Sequence, residues 1–365
     1  MVRYCIVGHG AFDHNIFEFD EDRFGMYNPD LTITEAIELS SGSDFYDGNY
    51  GGPILTVGQW LAQRGDIVSA ISIVGNDEMS NRYIDYLNKA GINTDKIRRY
   101  DDVSLAQCVY VHSDDDLVLD PPLWEDNVTG RFKKLPFSSS LRDFLARHDV
   151  LVLPITEPLA GKKAAENYLE ERADGFLAYI PGPYLTDGSV DFSRTYFKDL
   201  LQLTNLLQLN EDEAQVIVKE MDLGNVDNIG DLFSVDLAPK LEYLAVTFGS
   251  KGSKLYWLDK LSGDLEEHCL TALSIEGSDV EVYANTQGAG DAYSGVLIRS
   301  IMENRRLNLK KKKRVGAIQD AHRLAREAAA GMCKVMGALN RDVVLAGSTD
   351  IASDNEVISG NLGEE

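Results

Sequence analysis

Short aliphatic and β-branched runs alternate with stretches of helical periodicity through most of the chain. This alternation predicts a parallel sheet covered on both faces by helices. Strands are expected at Arg3–Val7, Val68–Val74, Val150–Leu153, Phe176–Ile180, Leu206–Leu209 and Tyr243–Thr247. Amphipathic segments fall between them at Ser80–Ala90, Gly161–Asp174 and Asp212–Glu220, with another near the end at Ala317–Met336. In the last one Ala321, Leu324, Ala325, Ala328, Ala329, Met332, Val335 and Met336 recur at spacings of three and four. That spacing marks a buried core helix whose small residues let another element, or a flat ligand, come close.

Two regions break the pattern. Residues 14–50 are acidic and loop-rich, and residues 103–122 carry alternating apolar positions, Val109 and Val111, then Leu117 and Leu119, on either side of Ser113-Asp114-Asp115-Asp116. The second region reads as a hairpin with an acidic turn. Two inserts leaving an α/β core early in the chain can pair as a small β-sheet that stands off it as a lid. No internal repeat or low-complexity linker divides the chain, so one domain is expected over residues 1–345, followed by a polar, flexible tail at 346–365.

Composition narrows the function classes. With 365 residues, 44% hydrophobic and 26% charged, the chain is neither disordered nor a disulfide scaffold. A net charge of −24 repels nucleic acid and anionic lipid, so neither is an expected partner. The basic run Lys310 to Arg314 reads as a solvated loop or helix start. Cys5, Cys108, Cys269 and Cys333 have no short pair spacing, so no zinc site or disulfide framework is suggested and a reducing, cytoplasmic location is expected. The N-terminal residues run directly into a strand without a leader-like pattern.

The chemistry concentrates in Asn285-Thr286-Gln287-Gly288-Ala289-Gly290-Asp291, which runs into an apolar helix. Gly288 to Gly290 can turn tightly and present bare amides, and a helix starting there adds its positive dipole end. Together they form an anion hole suited to a phosphate in transfer. Asp291, on the first turn, stands where a carboxylate can take a proton from an attacking hydroxyl; the plainer reading is a helix cap. Thr247-Phe248-Gly249-Ser250-Lys251-Gly252 closes one strand and Asn210-Glu211-Asp212-Glu213 another, where open α/β sheets bind nucleotides. A hairpin turn and a helix-capping sequence are their plainer readings. Gly8-His9-Gly10-Ala11-Phe12-Asp13 closes the first strand, and Gly51-Gly52-Pro53 opens a helix.

With these motifs in this order, the sequence resembles the ribokinase/PfkB carbohydrate kinase family, which includes adenosine and other nucleoside kinases. The similarity spans residues 2–340 and includes Ile73-Val74-Gly75-Asn76-Asp77 and Leu87-Asn88-Lys89-Ala90-Gly91-Ile92. The resemblance implies a three-layer α/β/α core with a mainly parallel sheet and a small β-sheet lid. It implies ATP as phosphoryl donor with Mg²⁺, transfer to a primary hydroxyl of a sugar, and Asp291 as general base with Gly288, Ala289 and Gly290 as the anion hole. Asp13, Gly51, Gly52 and Thr56 would contact substrate, Asn210, Thr247, Gly249 and Gly252 would line the nucleotide, and Glu213 would hold magnesium through water. The lid would close to exclude water, and lids of this family can also pair two subunits into a homodimer.

The departures matter too. Asn285 stands where several members carry an Asp belonging to a monovalent-cation site, which weakens the case for potassium activation. Thr56 stands where the first signature usually places an Asn that contacts substrate. A nucleoside is the alternative acceptor. A further alternative is a kinase-fold binding or regulatory protein that has lost catalysis, with Thr56, Asn285 and Gln287 as the first departures. His9 and His14 read as structural histidines, His268 has no second ligand pair nearby for a metal, and Trp60 and Trp124 could stack on a sugar or base, with core packing the commoner use.

Overall fold

In chain order the computed structural model begins with β1 (Arg3–Val7), β2 (Ala11–Ile16), β3 (Tyr46–Gly51), α1 (Pro53–Ala62), β4 (Ile67–Gly75), α2 (Glu78–Lys89) and β5 (Ile92–Tyr100). It continues with β6 (Ala106–Val111), β7 (Leu123–Glu125), α3 (Val128–Phe132), α4 (Ser139–Ala146), β8 (Val150–Pro154), α5 (Pro158–Glu171) and β9 (Phe176–Ile180). The last elements are α6 (Tyr196–Leu203), β10 (Leu206–Asn210), α7 (Glu211–Glu220), β11 (Tyr243–Thr247), β12 (Ser253–Leu258), β13 (Leu265–Leu270), α8 (Ala289–Arg306) and α9 (Lys311–Met332). The residues described are 1–16, 46–111, 123–125, 128–186, 196–233, 236, 238–259, 262–273, 288–307, 309 and 311–333.

Nine strands form one sheet in the order β13-β12-β11-β10-β9-β8-β1-β4-β5, parallel except at the antiparallel β11-β12-β13 edge. Period-two alternation gives each central strand two apolar faces. On β1, Tyr4 and Ile6 join a core with α1, α2, α8 and α9, while Cys5 and Val7 join a second core with α3 to α7. Three layers follow directly. Gly295 of α8 lies so close to α1 that an added Cβ would sit 2.6 Å from Trp60 Cβ, so these two helices pack nearly backbone to backbone. Trp60 is accordingly core.

The second sheet has four strands in the order β3-β2-β6-β7. β3 comes from the first expected insert and β6 from the second, while β2 leaves the end of β1 almost at once. β6 pairs antiparallel with β7, Gln107 opposite Glu125. The apolar and acidic positions of the expected hairpin, 113–119, lie outside the described residues, as do the rest of the first insert and the tail.

Two elements depart from the expected set and boundaries. β5, with the sequence INTDKIRRY, was not anticipated; it is an edge strand, and its charged residues serve an edge rather than a core. α9 begins at Lys311 rather than Ala317, so Lys311 to Arg314 form its first turn, the helix-start reading of the basic run, and Arg314 pairs with the buried Asp259. Among the described residues no helix is long and apolar enough to cross a membrane.

Candidate active site

The site lies where the carboxyl ends of the parallel strands meet the starts of α1 and α8. α8 opens on Gly288, whose φ of 75° places it in the left-handed region that glycine enters without steric cost. Among the described residues no side chain caps this helix, so its first amides remain donors. A Cβ built on Gly290 would meet nothing within 4 Å. That glycine borders open space. Ser294, one turn on, has its hydroxyl 2.6 Å from the Gly290 carbonyl and against Gln208 of β10, tying this turn to the sheet.

α1 opens in the same manner on Gly52, at φ 79°, again without a side-chain cap and with Pro53 at its first position. A Cβ on Gly52 would lie 2.6 Å from the Ala11 amide nitrogen, and one on Gly51 would lie 1.8 Å from Asp13 Oδ2. The Asp13 carboxylate thus occupies the space that any side chain at 51 would need. Close approach of α1 and α8 brings Thr56 to Asp291, with Thr56 Oγ1 donating to Asp291 Oδ2 at 2.6 Å. Burial raises the Asp291 carboxyl to about 6, and the Thr56 hydrogen bond opposes that rise. A carboxylate with such a value is ionised at neutral pH yet basic enough to accept a proton.

The lid presents one face to this pair. Register places Asn49 and Cys108 beside Asp13, and alternation adds Tyr110 to the same face. Burial and the Asp13 carboxylate push the Cys108 thiol up to about 12. The Tyr110 phenol is raised well above its ordinary value by burial, by Asp13 and by Asp291, so it lies within electrostatic range of both carboxylates. Phe12, His14 and Tyr50 alternate onto the opposite face, where Phe12 packs edge-on against His14 and Tyr50. His14 bonds Gln107 at 3.1 Å, and burial lowers its pKa. His9 is buried beside Tyr184.

The other group of expected residues gathers along the sheet. Asn210 and Thr247 are register partners at the ends of β10 and β11. The Asn210 side chain accepts from the Glu213 amide at 2.8 Å, and the Glu213 carboxylate accepts from the Asn210 backbone at 3.1 Å and side chain at 2.9 Å, a complete capping box. Burial raises the Glu213 carboxyl to about 7. Gly249 and Gly252 adopt positive φ in the tight turn joining β11 to β12, where a Cβ on Gly252 would lie 2.0 Å from the Leu270 carbonyl. The capping and hairpin readings are therefore both realised, at strand ends that face the start of α8 through Gln208 and Ser294.

Asp13, Gly51, Gly52, Thr56 and Asp291 thus form one cluster, and Asn210, Glu213, Thr247, Gly249 and Gly252 a second. Asn285, Thr286 and Gln287 lie outside the described residues. Asn49, Cys108 and Tyr110 escaped the sequence reading, which followed Val109 and Val111; the same alternation assigns Cys108 and Tyr110 to the other face. His268 contacts His322, which bonds Ser253, and among the described residues no group of His, Cys, Asp or Glu is arranged to hold a metal alone.

A nine-stranded, mainly parallel sheet between two helical layers, with a four-stranded lid over the carboxyl ends, is the ribokinase-like architecture. A model of the pfkB family of carbohydrate kinases matches residues 46–341, and the chain belongs to that family. The nucleoside kinase of Methanocaldococcus jannaschii is 23% identical over 295 residues, covering 80% of this chain and 81% of that protein. Its crystal structure superimposes with a TM-score of 0.68 at 16% identity, covering 96% and 99% of the two chains. Ribokinase from Giardia lamblia gives 0.70 at 18% identity, covering 96% and 100%. Ribokinase from Cryptococcus neoformans in complex with ADP gives 0.66 at 18% identity, with the same coverage.

Proposed function

We propose that the protein is an ATP-dependent kinase that transfers the γ-phosphoryl group to a primary hydroxyl of a sugar. The observation that carries this reading is the start of α8. The uncapped amides of Gly288 to Gly290 and the elevated Asp291 carboxylate share one helical turn, opposite a lid that contributes the buried Asp13. In the reaction, Asp291 takes the hydroxyl proton as the substrate oxygen forms its bond to the γ-phosphorus. The bond from that phosphorus to the bridging β,γ-oxygen breaks, and ADP leaves with the electron pair. The amides of Gly288, Ala289 and Gly290 meet the charge on the transferring oxygens. Asp13 and the Gly51-Gly52 turn hold sugar hydroxyls, and lid closure excludes water.

The nucleotide belongs along Thr247, Gly249 and Gly252, and that a family nucleotide is bound at all is supported by the Cryptococcus ribokinase, which is in complex with ADP. Magnesium fits the second cluster: Asn210 and Glu213 offer hard oxygen donors too few to cage an ion, as suits a cation that keeps most of its water. Bound there, it would neutralise phosphate charge.

One observation favours a nucleoside acceptor. Tyr110 puts an aromatic ring on the lid face beside Asp13, where a base could stack, and the Methanocaldococcus relative is a nucleoside kinase. An ADP-release assay against pentoses, hexoses and nucleosides tests both readings. Turnover of a free sugar supports the first and turnover of nucleosides alone the second. No ADP release beyond background with any of them overturns both.

A further inference from the structure

We infer that Thr56 is a positioning residue for Asp291, acting on the carboxylate rather than on substrate: its hydroxyl holds one carboxylate oxygen and leaves the other to receive the proton. The inference rests on Asp291 being the base, as proposed above. Thr56 occupies the fourth position of α1, and its Oγ1 has two acceptors within reach, Asp291 Oδ2 at 2.6 Å and the Gly52 carbonyl at 3.0 Å. A hydroxyl has one hydrogen to donate, so the two acceptors compete for it. The Gly52 carbonyl already accepts from the amides of Leu55 at 3.0 Å and Thr56 at 3.1 Å, whereas an ionised carboxylate forms a shorter, stronger bond with the same donor. Asp291 wins while it carries charge.

Three features make this arrangement rigid. Thr56 is buried, and Gly52 is locked at positive φ by the approach of the Ala11 backbone. Its helix is clamped to α8 through Gly295 and Trp60. The Thr56 hydroxyl is thus aimed from one helix start to the other. Asp291 Oδ1 has no hydrogen-bond partner among the described residues and is the oxygen left for the incoming proton. When Oδ1 is protonated, Oδ2 becomes a neutral carbonyl oxygen and a weaker acceptor. The Thr56 hydrogen can then turn to Gly52 O without becoming unsatisfied.

Among the described residues, the titratable lid group that senses Asp291 is Tyr110, which also lies beside Asp13 and is kept protonated by burial. From α1 the group that bonds Asp291 is the Thr56 hydroxyl, and from β10 the neighbour of this turn is the uncharged Gln208. A hydrogen bond donated to the charged form lowers a carboxyl pKa, so its removal raises it.

The test combines Thr56→Val, which keeps the shape and removes the hydroxyl, with Thr56→Ser, which keeps the hydroxyl. In Thr56→Val the acid limb of the kcat profile moves to higher pH by about one unit. At the plateau kcat falls about tenfold with the acceptor KM unchanged, as for an interaction that acts on the reacting group. Thr56→Ser restores both. A ¹³C titration of the Asp291 carboxyl in the same variants reads the contact without turnover and shows the same shift. An unchanged carboxyl titration, or a raised acceptor KM with an unmoved acid limb, overturns the proposal and returns Thr56 to substrate binding. If Thr56→Val does not fold, Thr56→Ala carries the same measurements. Normal turnover in Asp291→Asn, with the carboxyl shift still present in Thr56→Val, removes the base assignment and leaves the contact.

Discussion

The starts of α7 and α8 lie side by side at the end of the sheet, and they are built in opposite ways. α7 closes itself: Asn210 and Glu213 exchange hydrogen bonds with each other's amides, so the helix end is satisfied by its own sequence. α8 opens on a glycine at φ 75° and leaves its first amides uncapped. Both turns bury a carboxyl whose pKa is raised, Glu213 to about 7 and Asp291 to about 6. Yet Glu213 is held by two donors of its own turn, whereas Asp291 is held by one hydroxyl from another helix. Under the proposed function, the difference separates a turn that shapes the site from a turn that acts in it. Unmet donors at a helix start cost stability, a cost that an anion bound there as proposed would offset.

Asp291→Asn breaks the α8 side of this contrast most severely. Turnover should fall by roughly 10²–10⁴-fold, the usual worth of a positioned base, as read by steady-state kinetics. The same variant should gain stability at alkaline pH. The folded Asp291 value lies above the unfolded one, so its charge opposes folding once pH passes about 6. Because Asp291 keeps some contact with water, the gain at pH 8 is on the order of 1 kcal/mol, and it vanishes near pH 4. Thermal unfolding at the two pH values measures it.

Gly290→Ala is the next largest effect. The position is open, so a methyl group meets no protein atom, and alanine favours the helix by up to ~1 kcal/mol. It would intrude where the proposed function puts the phosphoryl oxygens, and kcat/KM should drop about tenfold or more. A variant with higher melting temperature and unimpaired kcat/KM would mean the open space is not the anion hole.

In the wild type, kcat should decline below pH 6, approaching about tenfold per pH unit as Asp291 takes up a proton. A flat profile down to pH 5 would argue for another base. The smallest effect belongs to α7: Asn210→Ala removes the capping box and should cost about 1 kcal/mol in denaturant unfolding. Its kinetic signature should appear in the nucleotide KM. A loss of kcat comparable to that of Asp291→Asn would erase the distinction between the two turns.

Much of this was legible in order along the chain. The buried strands β1, β8, β9, β10 and β11 announced themselves because a parallel strand covered on both faces must be apolar at nearly every position. The Gly288 to Asp291 turn was legible as a helix start, and its chemistry only in company with the other strand-end motifs, since alone it reads equally as a helix cap. β5 was not, since an edge strand may carry charge and obeys no core pattern. Nor were Cys108 and Tyr110, because Val109 carried the apolar signal of β6 and drew attention to the wrong face. Thr56 was noticed as a departure, but its contact, 235 positions along the chain, could not be read.

The sequence by itself determined the layers, the family and the glycines that open two helices, since periodicity and left-handed backbone are local properties. Glu213 is tied back by its own turn, whereas tertiary structure alone decided what holds Asp291. That choice depends on α1 and α8 meeting at Gly295 and Trp60, and on a lid strand folding over both. Burial and partner, which set the charge of a carboxyl, exist only once distant segments pack.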